Sequence, residues 1–364
     1  MKKLLIVLML VFVLCGCGSE KEKEPDVRED LLKIYSDSKA MHFDKAAYLT
    51  YLEEKGICAG DITGDHNMVN AQLLESFLNG QKDSAEFIMI CPDAGFEYIE
   101  LTSEQINTLR VAEVNGEAAF TWETEYKIEE MNYTDKGWLI ISRIMPDNPE
   151  GGNHDGWVEP TLMYRIKPMG EEQRNACAKY IEPIGYGTNG FFLTDWGPDD
   201  MSAVDFAGLF PAAYAIYYGR DLIYYESPYP IDESATRAWV ERDEYERIML
   251  PLFDLTAEEL RSLAGLNGGD YEIHTSRTED ELRALGFYDE EGYRVSTVRT
   301  ADKRYFDVTP EVTNVTVNEN GTLTITVDGV SPSLKTDRAF THCITVRDMG
   351  DRVVYLENKF YPAK

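Results

Sequence analysis

The chain has 364 residues, with 65 acidic against 35 basic side chains and a formal charge of −30. A surface this acidic repels phosphate backbones and anionic headgroups, which sets aside nucleic-acid binding and leaves no charge-driven attraction to a membrane. With 43% hydrophobic residues and 22 tyrosines, aromatic content persists to Tyr361, so the body can bury a core, and the length points to two domains.

Residues 1–17, MKKLLIVLMLVFVLCGC, place two lysines before an unbroken apolar run from Leu4 to Leu14. That run falls short of the ~20 helical residues needed to cross hydrocarbon and has the profile of a removable signal. Leu14-Cys15-Gly16-Cys17 fits a lipobox, with Leu at −3 and Gly at −1. Residues 1–16 therefore read as a lipoprotein signal peptide and Cys17 as the diacylglycerol acceptor; a cut before Cys15 would lack the small preceding residue. Each buried methylene contributes about 0.8 kcal/mol, so two or more palmitate-like chains hold durably. The expected location is the cell membrane, lipid-anchored, on the extracytoplasmic face. Residues 17–26 follow as a tether, polar from Gly18 to Asp26, with nothing to bury.

From Asp30 to Lys55 apolar residues recur at spacings of three and four, predicting helix with an interruption near Ser36-Asp37-Ser38. A second helix is expected over Asn70–Leu78, stopped by Asn79-Gly80. From Ala85 the period becomes that of strands. Ala85–Cys91, Glu97–Leu101, Thr108–Val114, Ala118–Ile128, Met131–Thr134 and Gly137–Ile144 are separated by short turns, Asn115-Gly116 being the clearest hairpin signal. Pro146 to Pro160 reads as loop and Thr161–Lys167 as strand. Connections this short make an antiparallel meander, and the βαβ alternation of nucleotide-binding folds is missing.

Gly185-Tyr186-Gly187-Thr188-Asn189-Gly190 marks a boundary, followed by a strand-like Phe191-Phe192-Leu193. Val204–Tyr218, Glu241–Leu252 and Thr256–Leu266 read as helices, the last with Thr256-x-x-Glu259 as a capping box, and Glu279–Leu285 as a short one. Strands resume at Val312–Val317, Thr322–Val330, Phe340–Arg347 and Arg352–Asn358. The order of helices then meander thus occurs twice. The fold class expected is α+β in two tandem halves, each a set of helices followed by an antiparallel meander sheet, with a cystatin-like or nuclear-transport-factor-like cone as one form. The divisions are 27–170 for the first domain, 171–190 for a linker region and 191–364 for the second domain.

Chemistry-bearing patterns are scarce. No GxSxG elbow, HExxH or CxxC occurs, and the five histidines, His42, His66, His154, His274 and His342, read as structural or solvated. Asp147 to Gly156 gathers oxygen ligands but fails EF-hand spacing; Asp61–Asp65 and Asp195–Asp200 receive the same discount. Cys58, Cys91, Cys177 and Cys343 read as buried thiols, with Cys58–Cys91 and Cys177–Cys343 left open as pairings. No catalytic residue, metal ligand or cofactor site is assigned. The aromatic concentration from Phe191 and Phe192 through Trp196, Phe206, Phe210, Tyr214, Tyr217, Tyr218, Tyr224 and Tyr225 to Tyr229 reads as core first and as a ligand cleft second.

The segments Phe191-Phe192-Leu193-Thr194-Asp195-Trp196, Asp205 to Phe210, Tyr225 to Pro230, Leu252 to Arg261 and Gly321 to Val327 resemble a family of uncharacterised lipoproteins from Gram-positive anaerobic bacteria, a domain of unknown function. The resemblance implies a surface lipoprotein in a single-membrane envelope and brings no functional residue with it. The function expected is a non-enzymatic binding or envelope-interaction module, with the membrane and an envelope protein or glycan as partners. The alternatives are a carbohydrate-active hydrolase using a carboxylate pair and a solute-binding receptor.

Overall fold

The computed structural model describes residues 27–41, 44–62, 64, 66–91, 95–144, 161–186, 190–222, 228–230, 237–265, 269–274 and 308–363. Residues 1–26, with the signal peptide, tether and Cys17, lie outside the described residues. So do the loop Pro146 to Pro160 with His154, His42, Thr63, Asp65, Tyr224, Tyr225, and the helix expected over Glu279–Leu285.

Helices α1 (Val27–Ala40) and α2 (Lys45–Glu54) come first, then β1 (Ala59–Asp61), α3 (Gln72–Leu78) and β2 (Ser84–Ile90). The run continues with β3 (Phe96–Thr102), β4 (Gln105–Val114), β5 (Glu117–Tyr133), β6 (Trp138–Arg143) and β7 (Thr161–Arg165), and all seven strands form one sheet in sequence order. The break between α1 and α2 falls at 41–44 rather than at Ser36–Ser38. Ser36 and Ser38 bond back to the carbonyls of Leu32 and Tyr35 and so remain in the helix, whereas Asp44 caps α2 by accepting from the Ala47 amide at 2.8 Å.

Alternation along the strands distributes the core to both faces. Phe87 and Met89 of β2 join Ile99, Leu101 and Ile106 beneath Leu74 and Phe77 of α3. Ile88 and Ile90 join Phe96, Tyr98, Leu109 and Val111 beneath Leu31 and Tyr35 of α1 and Tyr48, Leu49 and Leu52 of α2. Two expectations change here. β1 pairs in parallel with β2 through Ala59↔Ile88 and Asp61↔Ile90, so β1–α3–β2 is a parallel crossover in an otherwise antiparallel sheet. Ala118–Ile128 and Met131–Thr134 are one strand, because Glu129 is absorbed as a bulge between Ile128 and Glu130 rather than making a turn.

The second set comprises α4 (Glu171–Ala176), which continues as one π-helical turn over Cys177–Ile181, α5 (Phe206–Tyr218), β8 (Arg237–Glu241), α6 (Arg242–Met249), α7 (Ala257–Ala264) and β9 (Asp270–His274). β10 (Thr309–Val317), β11 (Leu323–Ser331), β12 (Thr336–Asp348) and β13 (Val353–Pro362) form a four-stranded antiparallel sheet, and β8 pairs with β9. The capping box of α7 is present: Thr256 accepts from the Glu259 amide while Glu259 accepts from that of Thr256 at 2.8 Å. Phe191–Leu193, expected as strand, is a turn of 3-10 helix, since Gly190 sits at φ 61 and turns the chain before the aromatics enter the core. The strands β1, β8 and β9 escape a reading by period because three to five residues are too few to display one. Residues 176–186, which fall in the segment read as a linker region, bring Ala176, Cys177, Tyr180, Ile181, Ile184 and Tyr186 into the same core as Phe340 and Ile344.

The molecule is thus mixed α+β, with seven α-helices and three sheets among the described residues. No described helix is long and apolar enough to cross a membrane.

Candidate functional site

The two larger sheets meet where Trp138 and Ile140 of β6, with Met163 of β7, pack against Val330 of β11. Polar bonds flank that contact. Lys136 donates to the Asp328 carboxylate and to the Asp337 carbonyl, both at 2.7 Å. Arg165 of β7 pairs with Glu311 of β10, the side chains being 10% and 6% exposed. The Trp138 indole N–H donates to the same Glu311 oxygen at 3.1 Å, and the Arg165 guanidinium lies 5.4 Å above the Trp138 ring. Arg165 also donates to the Lys167 carbonyl. A buried charge is tolerated only when paired and hydrogen-bonded, and both members here satisfy that condition.

Beside this joint opens a cavity of about 400 Å³. Trp138, Arg165 and Pro310 contribute from the two sheets, His66 from the connection between β1 and α3, and Arg174, Asn175, Cys177 and Glu182 from α4, its π turn and the residue that follows. His66 is held in place by Asp61, whose side chain is fully buried and which accepts from His66 Nδ1 at 3.2 Å and from Lys45 at 3.1 Å. Asn67 exchanges two hydrogen bonds with the main chain of Met169, tying the His66 wall to the segment that leads into α4. Arg174 differs from Arg165. It is half-buried, and its guanidinium has neither a hydrogen bond nor an ion pair with any described residue.

Burial first, and then the Glu182 and Glu311 carboxylates, push the Cys177 thiol up, and its sulfur lies 3.7 Å from the Pro310 carbonyl. It is protonated at neutral pH and lacks the thiolate a nucleophile requires. The cavity thus offers a guanidinium that no described residue pairs, the Glu182 carboxylate, the Asn175 amide, an imidazole, an indole edge and apolar surface, a few polar groups on an apolar lining as in sites that orient a ligand.

The sequence-derived candidates lie elsewhere. Phe191, Phe192, Trp196, Phe206, Phe210 and Tyr214 are core: Trp196 is 2% exposed and donates to the Phe191 carbonyl at 2.8 Å. Tyr229 is half-buried and donates to Glu244, while Tyr217 and Tyr218 are exposed. His342 is fully buried. Asn358 Oδ1 can only accept, so Nδ1 of His342 donates to it at 2.9 Å, and the bare Nε2 accepts from Tyr186 at 2.7 Å. Burial lowers His342 to about 4, the Asn358 bond opposing, and Asn358 spends its amide on the Phe192 and Thr194 carbonyls. Every polar atom in this trio is satisfied, which makes it a structural network.

Cys58, Cys91, Cys177 and Cys343 are free thiols; the first three are buried, whereas Cys343 is half-buried on the sheet face opposite His342. Among the described residues no group of three His, Cys, Asp or Glu is arranged to hold a metal ion. Asp195 accepts from the Phe360 amide and Asp200 from Ser202, so both shape their loop.

Fold and site together define a mixed α+β protein with a ligand-sized cleft at the junction of two sheets. Residues 22–364 match the family of unknown function DUF6070, and the chain belongs to that family. No curated protein matches the chain, and no solved structure does.

Proposed function

We propose that this chain is a lipid-anchored protein of the extracytoplasmic face of the cell membrane, in a Gram-positive anaerobe, carrying diacylglycerol on Cys17. Its folded part is a binding module made of two tandem helix-plus-meander halves, with the ligand seated between them. The observation that carries the binding role is the cavity of about 400 Å³ with Arg174, unpaired among the described residues, on its wall. In a chain of −30, a guanidinium with no carboxylate partner among the described residues is well placed to meet an anionic or polar ligand group, and a junction between sheets is a common place for a ligand. The lipobox at Leu14–Cys17 supports the anchor, and the repeated order of helices and meander supports the tandem reading.

Two measurements test the parts separately. Labelling cells with an alkyne-bearing palmitate analogue is expected to mark the wild-type protein and leave Cys17→Ala unmarked; labelling of the variant overturns the anchor. For the cleft, full-length protein in detergent is incubated with small molecules extracted from the envelope, and retained compounds are identified by mass spectrometry. Retention by the wild type and loss in Arg174→Gln is the expected result. No retention, or equal retention by both, overturns the cleft as the binding site.

A further inference from the structure

At the other end of the large sheet β1 is too short to cover its neighbour. It spans three residues and pairs only with Ile88–Ile90, whereas β2 begins at Ser84. The Ile88 amide donates to the Cys58 carbonyl at 2.9 Å, at the start of β1. Main-chain groups of alternate residues in a strand point the same way, so the N–H and C=O of Ser84 and Glu86 point along this same edge, beyond the end of β1. No described residue hydrogen-bonds them there. An uncovered edge of this kind is a template for another strand.

Two features specify what fits. A cavity of about 530 Å³ lies against residues 84–88, with Leu31 and Ile34 of α1 on one side and Leu73 of α3 on the other. That is a slot with a sheet edge as its floor and apolar side chains on its walls. The second feature is charge. Glu86 lies directly opposite Glu100 of β3, and Asp30 of α1 lines the same slot. Like charges placed opposite each other on a sheet are destabilising, and among the described residues the one cation lining the slot is Lys82. A cationic side chain arriving opposite Glu86 would relieve that repulsion, its aliphatic stem lying on Leu31 and Ile34.

We propose that residues 84–87 of β2 dock an extended basic segment of a partner protein, which adds a strand to the edge with Lys or Arg facing Glu86 and apolar side chains at the flanking positions, toward Phe87 and Leu73. Main-chain bonds supply affinity and the alternating side chains supply selection, as in other strand additions. This site is separate from the cleft at Arg174 and does not depend on it.

The test uses full-length protein in detergent and a fluorescent acetyl-Lys-Val-Lys-Val-Lys-Val-amide probe, read by anisotropy and by hydrogen exchange of the backbone amides of residues 84–88. The wild type is expected to bind, with exchange at Ser84 and Glu86 slowed. Glu86→Pro removes the outward N–H together with the carboxylate, at a position where an edge strand accepts proline, and is expected to weaken binding about tenfold, the excess over the charge-only variant Glu86→Gln being the lost main-chain hydrogen bond. Glu86→Gln, which retains the backbone, is expected to weaken it about threefold and reduce its salt dependence. The proposal is overturned by no binding, by equal binding of a probe methylated at alternate amides, or by equal binding by Glu86→Pro with native circular dichroism. Protection of Ser84 and Glu86 before any probe is added would assign the edge to the chain itself, or to a second copy if it varied with protein concentration, and would equally overturn a partner segment.

Discussion

Replacing Glu311 by Gln removes one charge from the joint between the two larger sheets while keeping side-chain volume and an oxygen for the Trp138 indole. The side chains of Arg165 and Glu311 are 10% and 6% exposed, so solvent cannot take over the lost partner. Breaking a buried pair from one side typically costs 3–5 kcal/mol, because the remaining charge stays desolvated. Arg165 still donates to the Lys167 carbonyl, which places the expected loss at the lower end, about 3 kcal/mol. With a urea slope near the top of the range for globular domains, that is a fall of roughly 1 M in the midpoint. The double variant Arg165→Met with Glu311→Gln removes the orphaned charge and is expected to recover most of the loss, since an apolar pair of similar volume is often as stable as the ion pair it replaces. The assay is urea unfolding followed by circular dichroism and tryptophan fluorescence. A loss below about 0.5 kcal/mol for Glu311→Gln would mean that water reaches the joint, and would refute the argument from burial.

Other perturbations test the core and the caps. His342 titrates near 4 in the fold against 6.5 in the open chain, so the unfolded state takes up the proton first; stability contributed by the neutral ring is whole above pH 6.5 and is lost as pH falls toward 4, by up to roughly 3 kcal/mol. Unfolding midpoints measured from pH 7 to 4.5 are expected to fall less steeply in His342→Gln than in the wild type, and parallel curves would refute this. A Cβ on Gly329 would lie 2.5 Å from the Phe340 ring, so Gly329→Ala is expected to cost about 1–3 kcal/mol in thermal or urea unfolding. Thr256→Ala breaks the capping box of α7 and is expected to cost about 1 kcal/mol by the same measurement, with Thr256→Ser near neutral.

Most of the strands in the two larger sheets were legible because Asn115-Gly116 and period-two alternation are local signals, satisfied within a few residues of one another. The capping box at Thr256 and Glu259 was legible for the same reason. The cleft was not, because its parts come from distant stretches: His66, Trp138, Arg165, Arg174 and Pro310 have no spacing in common, and each taken alone reads as an ordinary loop or strand residue. One of them, Arg165, carries a local signal of its own. Arg165 stands in the run Leu162-Met163-Tyr164-Arg165-Ile166, where alternation aims it at the same face as Met163, and Met163 packs toward the second sheet. A charged residue with that orientation requires a buried partner, and Glu311, next to Val312 at the start of another strand, answers to the same logic. Two charges of opposite sign, each set where its strand turns a face inward, imply that the faces meet. Arg174 then stands out by contrast, since it lines the same cleft as Arg165 of the completed pair with no carboxylate partner among the described residues, and that asymmetry supports the proposal that Arg174 meets a ligand while Arg165 holds the sheets together.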